Sequence, residues 1–253
     1  MLESEMKLVD NVKILKKKGW IPSVQKGYSS VRITFDKAIG KMSDRFSITD
    51  YDKYEIKCVM RSSGAPMYLF SSCFEGNARA ELNRLVDNYG WRNKVGVTEK
   101  TLFFRGNCCY KYSPNKTGYK FKFKLDYRNQ KIRLQVFNFK NVLIDNKAFI
   151  YFDSLEKCFN DKLRKIALVW ANRKSIFGKE YYNYYRVCFY KNKGFDNFID
   201  LLGKGMIDIG IYGRIVETEE HRVEFKFKNL DFRISREHLD RLFACYYDSL
   251  ENI

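Results

Sequence analysis

The segment KYEIKCVM, residues 53–60, alternates charged and apolar side chains, a period of two that fits a half-buried β-strand. Side chains two apart on a strand share a face. Glu55 and Lys57 therefore point one way, and Ile56 and Cys58 point into the opposite layer. Asp50, entering from the preceding turn, can close on the charged face. The pattern is an acidic residue, a four-residue gap, then Glu-Ile-Lys. It gathers the Asp50 and Glu55 carboxylates and the Ile56 carbonyl, hard oxygen donors that suit Mg²⁺. A lysine beside them, Lys57, can orient or deprotonate a water and stabilise charge building on a phosphate. The chemistry this suggests is metal-assisted hydrolysis of a phosphodiester. The same spacing also arises on solvated edge strands, so the rest of the chain has to decide.

Charge points the same way. Lysine and arginine number 47 against 30 aspartates and glutamates, a formal net charge of +17. Such a field concentrates polyanions, of which nucleic acid is the commonest, although a ribosome-associated or merely soluble basic protein has the same balance. No long stretch is both cationic and sharply amphipathic, which argues against a membrane-surface role, and none has the length of a membrane span. The seven cysteines are odd in number and lack CxxC spacing, and the histidines are only His221 and His238. That pattern disfavours zinc and fits reduced thiols in a soluble cytoplasmic protein. An aromatic content of 17% within 253 residues is enough to fill a substantial core in one domain or two lobes.

Taken in order, residues 4–19 read as a helix closed by Gly19, and VRITFDKAIG reads as a short helix that carries Asp36 and ends at Gly40. Asp36 is either a surface charge or, if that helix packs beside the Asp50 strand, a further carboxylate for the metal. Gly64-Ala65-Pro66 makes a turn, and MYLFSSCF is expected to return as the partner of KYEIKCVM in a hairpin. NARAELNRLVDNYGW is a helix capped by Asn77 and stopped by Gly90. TLFFRG, GYKFKFKLDY and KIRLQVFNF alternate as strands. The ladder Lys120, Lys122, Lys124 is the polar outside of an antiparallel sheet or part of a DNA-facing wall. A helix at SLEKCFNDKLRK precedes strands at IALVWANRK and EYYNYYRVCFY, whose tyrosines come from both faces and so read as packing. FDNFIDLLGKG is a helix, MIDIGIYGRI and HRVEFKFKNLDFRIS are strands, and REHLDRLFACYY is expected to close the chain as a helix. Strands and helices without strict βαβ alternation imply an α+β, mixed α/β architecture, and no phosphate-binding glycine loop is present.

Several of these segments, in this order, resemble the MvaI/BcnI restriction endonucleases, a monomeric, MutH-like branch of the PD-(D/E)XK nucleases. They are GWIPSVQKGYSSVRITFDKAIG, TDYDKYEIKCVMRSSGAPMYLFSS, VDNYGW, KIALVWANRK, FDNFIDLLGKGMIDIGI and LDFRIS, and they span most of the chain. The resemblance implies a nuclease core with a mixed sheet flanked by helices and two lobes around a DNA cleft. A catalytic lobe is expected over residues 1–160 and a DNA-recognition lobe over 161–253. Asp50 and Glu55 become metal ligands together with the Ile56 carbonyl, Lys57 the catalytic lysine, and Asp36 stands where the family usually has a glutamate. The family's glycine-rich GDTGVGYT loop is replaced by Tyr28, Ser29, Ser30 and Arg32. Its D-x-R strand becomes Asp208-Ile209-Gly210, without the arginine, and its H-G-T-x-F-R becomes Lys228 to Arg233, without the histidine. Asp208 and Arg233 remain to contact cytosine N4 and guanine O6/N7. Arg214 and Lys228 are candidate substitutes, or else phosphate contacts or solvated charges.

The expected activity is Mg²⁺-dependent cleavage of double-stranded DNA at a short specific sequence by a monomer cutting the strands in succession, with a cognate methyltransferase in the same system. The competing readings are a MutH-like or repair nicking endonuclease and a non-catalytic basic DNA-binding protein, while the active-site residues alone leave a ribonuclease open.

Overall fold

The computed structural model describes residues 2–27, 29–40, 54–92, 99–108, 113–114, 117–217 and 223–250. The chain opens with α1 (Glu3–Lys18), β1 (Ile21–Pro22), α2 (Ser30–Ala38), β2 (Glu55–Met60) and β3 (Met67–Ser72). It continues with α3 (Ala78–Tyr89), β4 (Trp91–Arg92), β5 (Glu99–Gly106), β6 (Ser113–Pro114), β7 (Lys120–Asp126) and β8 (Lys131–Phe137). Next come β9 (Leu143–Asp145), β10 (Phe149–Tyr151), α4 (Phe152–Leu163), β11 (Lys165–Ile176) and β12 (Lys179–Asn192). The last elements are α5 (Phe195–Gly203), β13 (Ile207–Glu217), β14 (Val223–Ile234), a 3₁₀ turn at Arg236–His238, α6 (Leu239–Leu242) and β15 (Phe243–Asp248). This is the mixed α+β architecture that the sequence implied. None of the described helices is long and apolar enough to cross a membrane.

The chain forms two compact units, each discontinuous: residues 1–65, 161–193 and 239–253, and residues 66–160 and 194–238. A boundary at 160/161 therefore does not separate them. The reason lies in the strand pairing: β2 and β11 are neighbours in one sheet although most of the second unit intervenes in sequence.

The first unit is a sheet in the order β1-β12-β11-β2, with β15 also on β12. β2 is parallel to β11, in register from Glu55 opposite Ile166 to Met60 opposite Ala171. The other pairings of this sheet are antiparallel. α1 buries Leu8, Val9, Val12 and Leu15 and leaves Met6 and Ile14 exposed, a stripe of i, i+1, i+4, i+7 spacing. That stripe shares a core with Val31 and Phe35 of α2, Ile56 of β2, Ala167 and Val169 of β11, and Tyr182, Tyr184 and Phe189 of β12. Tyrosines of β12 fasten α2 down. Tyr184 Oη donates to the Val31 carbonyl at 2.7 Å, and the Tyr182 and Ser30 hydroxyls are hydrogen-bonded.

The hairpin expected from KYEIKCVM and MYLFSSCF does not form. β3 is a strand, but it pairs with β14 in the second unit. The Gly64-Ala65-Pro66 turn is instead where the chain leaves one unit for the other. The expected closing helix is a second departure. Only Leu239–Leu242 is α-helical, after the 3₁₀ turn at Arg236–His238, and Phe243–Asp248 becomes β15 along β12. Aromatic and β-compatible side chains in FACYYD, with an unpaired stretch of β12 beside them, override local helical periodicity.

The second unit holds two sheets, β3-β14-β13-β5-β4 and β10-β8-β7-β6 with β9 on β8. Phe104 of β5 packs on Phe121 and Phe123 of β7, which places the apolar sides of the two sheets together. Asn77 caps α3 as expected, accepting from the Ala80 N–H at 3.0 Å. Gly90 ends α3 where a Cβ would lie 2.4 Å from the Val86 carbonyl oxygen, a close approach only glycine permits.

A buried polar knot anchors the start of β2. Tyr54 is 1% exposed and donates to Glu5 of α1, itself 4% exposed. Tyr246 of β15 donates to the same Glu5 oxygen at 2.9 Å, and the Leu2 N–H reaches the other at 2.7 Å. Burial alone would raise the Glu5 carboxyl, but these hydrogen bonds and the Lys165 charge outweigh it and hold it below its ordinary value. A carboxyl that titrates lower when folded stabilises the fold fully above the ordinary carboxylate range and loses that contribution as pH falls through the depressed value. Glu5→Gln should therefore cost about 1–3 kcal/mol at neutral pH. In thermal melts, the gap between wild type and variant should narrow on acidification.

Candidate active site

β2 lies at the edge of its sheet, and the alternation that makes it a strand also sorts its side chains. Ile56, 2% exposed, faces the core beneath α1 and α2. Glu55 and Lys57 share the opposite face, with Lys57 Nζ 3.0 Å from Glu55 Oε1 and side-chain exposures of 11% and 14%. A second cation, Lys162 at the end of α4, stands 3.8 Å from Glu55 Oε2. That oxygen is buried and accepts no hydrogen bond among the described residues. A buried carboxylate oxygen normally finds a donor or a metal, so this one is an open coordination position.

α2 supplies the other half. Arg32 donates from Nε to Asp36 Oδ2 at 2.8 Å, an i,i+4 pair on one helix face, and from Nη1 to the Ile56 carbonyl. Asp36, 7% exposed, is thus not a surface charge but is held beside the β2 backbone through Arg32. The Ile56 carbonyl is taken in this structure by the Arg32 guanidinium. The Glu55 Oε2 atom, which accepts no hydrogen bond among the described residues, is a hard oxygen donor of the kind a divalent ion takes. Asp50 lies outside the described residues, and no group of three or more potential ligating side chains occurs among those described.

Glu55 and Lys57 meet as strand alternation implies, and Asp36 and the Ile56 carbonyl share Arg32, but two cations beside them have no place in the sequence reading. Arg32 was read as a loop substitution only, although its i,i+4 spacing to Asp36 was a readable signal. Lys162 carried none, because only the tertiary fold brings the end of α4 to β2.

The remaining expected residues lie in the second unit, on the neighbouring strands β13 and β14. Asp208 is directly opposite Arg233, and Arg214 lies further along β13 on the same side as Asp208. Arg233 reaches Asp231 at 3.3 Å, and Asp231 also accepts from Ser71 at 3.4 Å. The Asp208 carboxyl is raised above its ordinary value by burial, against the Arg105 charge and a hydrogen bond from Asn107 that pull it down. Lys228 pairs with Tyr212 through its backbone, and its side chain lies outside the described residues. Asp231 and Arg105 were not singled out as site residues from the sequence.

The comparisons with known proteins bear on this arrangement. No curated protein matches the sequence. The fold is similar to the solved structure of the restriction endonuclease MvaI in complex with its cognate DNA, with a TM-score of 0.85 at 23% identity over 97% of this chain and 98% of that one. It is also similar to MvaI in the absence of DNA, with a TM-score of 0.59 at 21% identity over 97% of each chain. The family model of the MvaI/BcnI restriction endonucleases matches residues 9–243, nearly the whole sequence. The chain belongs to the MvaI/BcnI restriction endonuclease family, and is a type II site-specific endonuclease.

Proposed function

We propose that this endonuclease hydrolyses phosphodiester bonds of double-stranded DNA at a short specific sequence with Mg²⁺, working in the cytoplasm as a monomer that cuts the two strands in succession. The observation that carries this reading is the Glu55–Lys57 pair at 3.0 Å on the edge strand, with an open carboxylate oxygen beside it. Bound at Asp50, Glu55 and the Ile56 carbonyl, Mg²⁺ would supply Lewis-acid stabilisation of charge on the phosphate. The side chains supply the rest. Lys57 places an ammonium that can orient a water and stabilise charge building on the phosphate, and Glu55 fixes that ammonium in position. Lys162 and Arg32 add positive charge, so three cations face the carboxylates of Glu55 and Asp36. The net charge of +17 favours a polyanionic backbone.

The first unit is read as the part that cleaves. The second is read as the part that recognises bases, through Asp208 and Arg233, with Arg214 and Lys228 as further contacts. Double-stranded DNA is the partner, and a cognate methyltransferase belongs to the same system without binding this chain.

Incubating supercoiled plasmid and mixed-sequence DNA with Mg²⁺ should yield discrete fragments. Lys57→Ala should cut about 10²- to 10⁴-fold more slowly while still binding DNA in gel shifts. Salt-sensitive binding without cleavage by the wild type would instead favour a non-catalytic DNA-binding protein. A monomer with one active site should also convert supercoiled plasmid to an open circle before the linear form appears. An open circle that never linearises would identify the repair-type nickase.

A further inference from the structure

In the sheet β3-β14-β13-β5-β4, one face is packed and the other is polar. Ile207, Ile209 and Ile211 of β13 are at most 1% exposed. Gly213 lies on their side against α3, where a Cβ would meet Val86 at 2.5 Å and Leu82 at 3.2 Å. Asp208, Gly210, Tyr212 and Arg214 alternate onto the polar face. The register puts Arg105 of β5 on one side of Gly210 and Asp231 of β14 on the other.

Gly210 is not there for its backbone. It has no positive φ, and a Cβ would find ordinary van der Waals distances of 3.8 Å to Arg105 Nε and 3.8 Å to Asp231. What a larger side chain would meet is the guanidinium stem of Arg105, which lies across the glycine. Arg105 Nε is buried and makes no hydrogen bond among the described residues, and its charge is felt by Asp208. On the far side of β13, Arg233 repeats the arrangement, with a buried Nε that likewise makes no hydrogen bond among the described residues and a terminal nitrogen on Asp231. The run Asp208-Ile209-Gly210 is therefore flanked by an arginine from each neighbouring strand, Arg233 held by Asp231 and Arg105 close enough for its charge to act on Asp208, each with donor capacity left over.

We infer that Arg105 is a specificity-determining residue of this nuclease: seated over Gly210, its guanidinium recognises a guanine in the target DNA. A planar fork of N–H donors pairs with guanine O6 and N7 in the major groove, and a neighbouring carboxylate accepts from the N4 amino group of cytosine. Arg105 and Arg233 on either side of Asp208 thus form a plate that favours G·C pairs, and Gly210 is small so that Arg105 can lie across it. The inference rests on the DNA-cleaving function proposed above.

The test is digestion of a randomised double-stranded DNA library with Mg²⁺, followed by sequencing of the ends, for wild type, Arg105→Ala, Arg105→Lys and the double variant Arg105→Ala/Gly210→Arg. Melting temperatures are taken alongside. The wild type should show a guanine requirement at a position where both single variants relax it, about 10- to 100-fold in relative cleavage. Arg105→Lys is decisive if the alanine variant fails to fold, because it keeps a cation for Asp208 but loses the bidentate fork. The double variant returns a guanidinium to the same slot from β13 and should recover the guanine preference. An unchanged end profile in Arg105→Lys, whatever its melting temperature, overturns the inference and leaves Arg105 as a counter-ion of Asp208. A wild type that leaves no discrete ends would overturn the DNA-cleaving reading itself, and this inference with it.

Discussion

The parallel pairing of β2 with β11 is the constraint on which the rest of the molecule depends. Parallel neighbours cannot be joined by a tight turn and need a long crossover. In this chain the crossover between Met60 and Lys165 is long enough to hold most of a second compact unit, and the return from β12 to β15 holds the remainder. The interleaved architecture thus follows from one strand register. So does the chemistry, because β2 at the sheet edge has a packed face under α1 and α2 and a face for Glu55 and Lys57.

Electrostatic balance explains how such a site stays folded. Glu55 is largely removed from water, an arrangement that is costly unless opposite charge is close. Lys57 and Lys162 provide that charge on one side, and Arg32 does the same for Asp36 on the other. The residues that make the carboxylates tolerable inside the protein are also the cations suited to meet a phosphate backbone. Rigidity comes from beneath: Tyr54 on Glu5, and Tyr182 and Tyr184 on α2, pin both elements that carry the site.

In the second unit, charge is arranged differently. There, Arg233 is paired with Asp231, and the charge of Arg105 acts on Asp208 across the polar face of a sheet. Opposed pairs of this kind fix side-chain direction before any ligand arrives, which lowers the ordering cost of binding.

Strand alternation in KYEIKCVM, the helical stripe of α1, the Asn77 cap and the Gly90 stop were all legible in the sequence, because each depends on neighbours within a few residues. The same local logic placed Glu55, Ile56 and Lys57 correctly and put Asp36 on a short helix. What the sequence could not determine was which strand adjoins which. MYLFSS is a strand by pattern, yet it joins β14 and not β2, and FACYYD is drawn from helix to strand by an open length of β12. Lys162 beside Glu55, and Arg105 across Gly210, come from different stretches of chain whose meeting has no local signature. Side-chain periodicity is written by near neighbours and so is carried by sequence. Strand partners, and the charges they bring together, are chosen by packing over long separations and exist only in the folded chain.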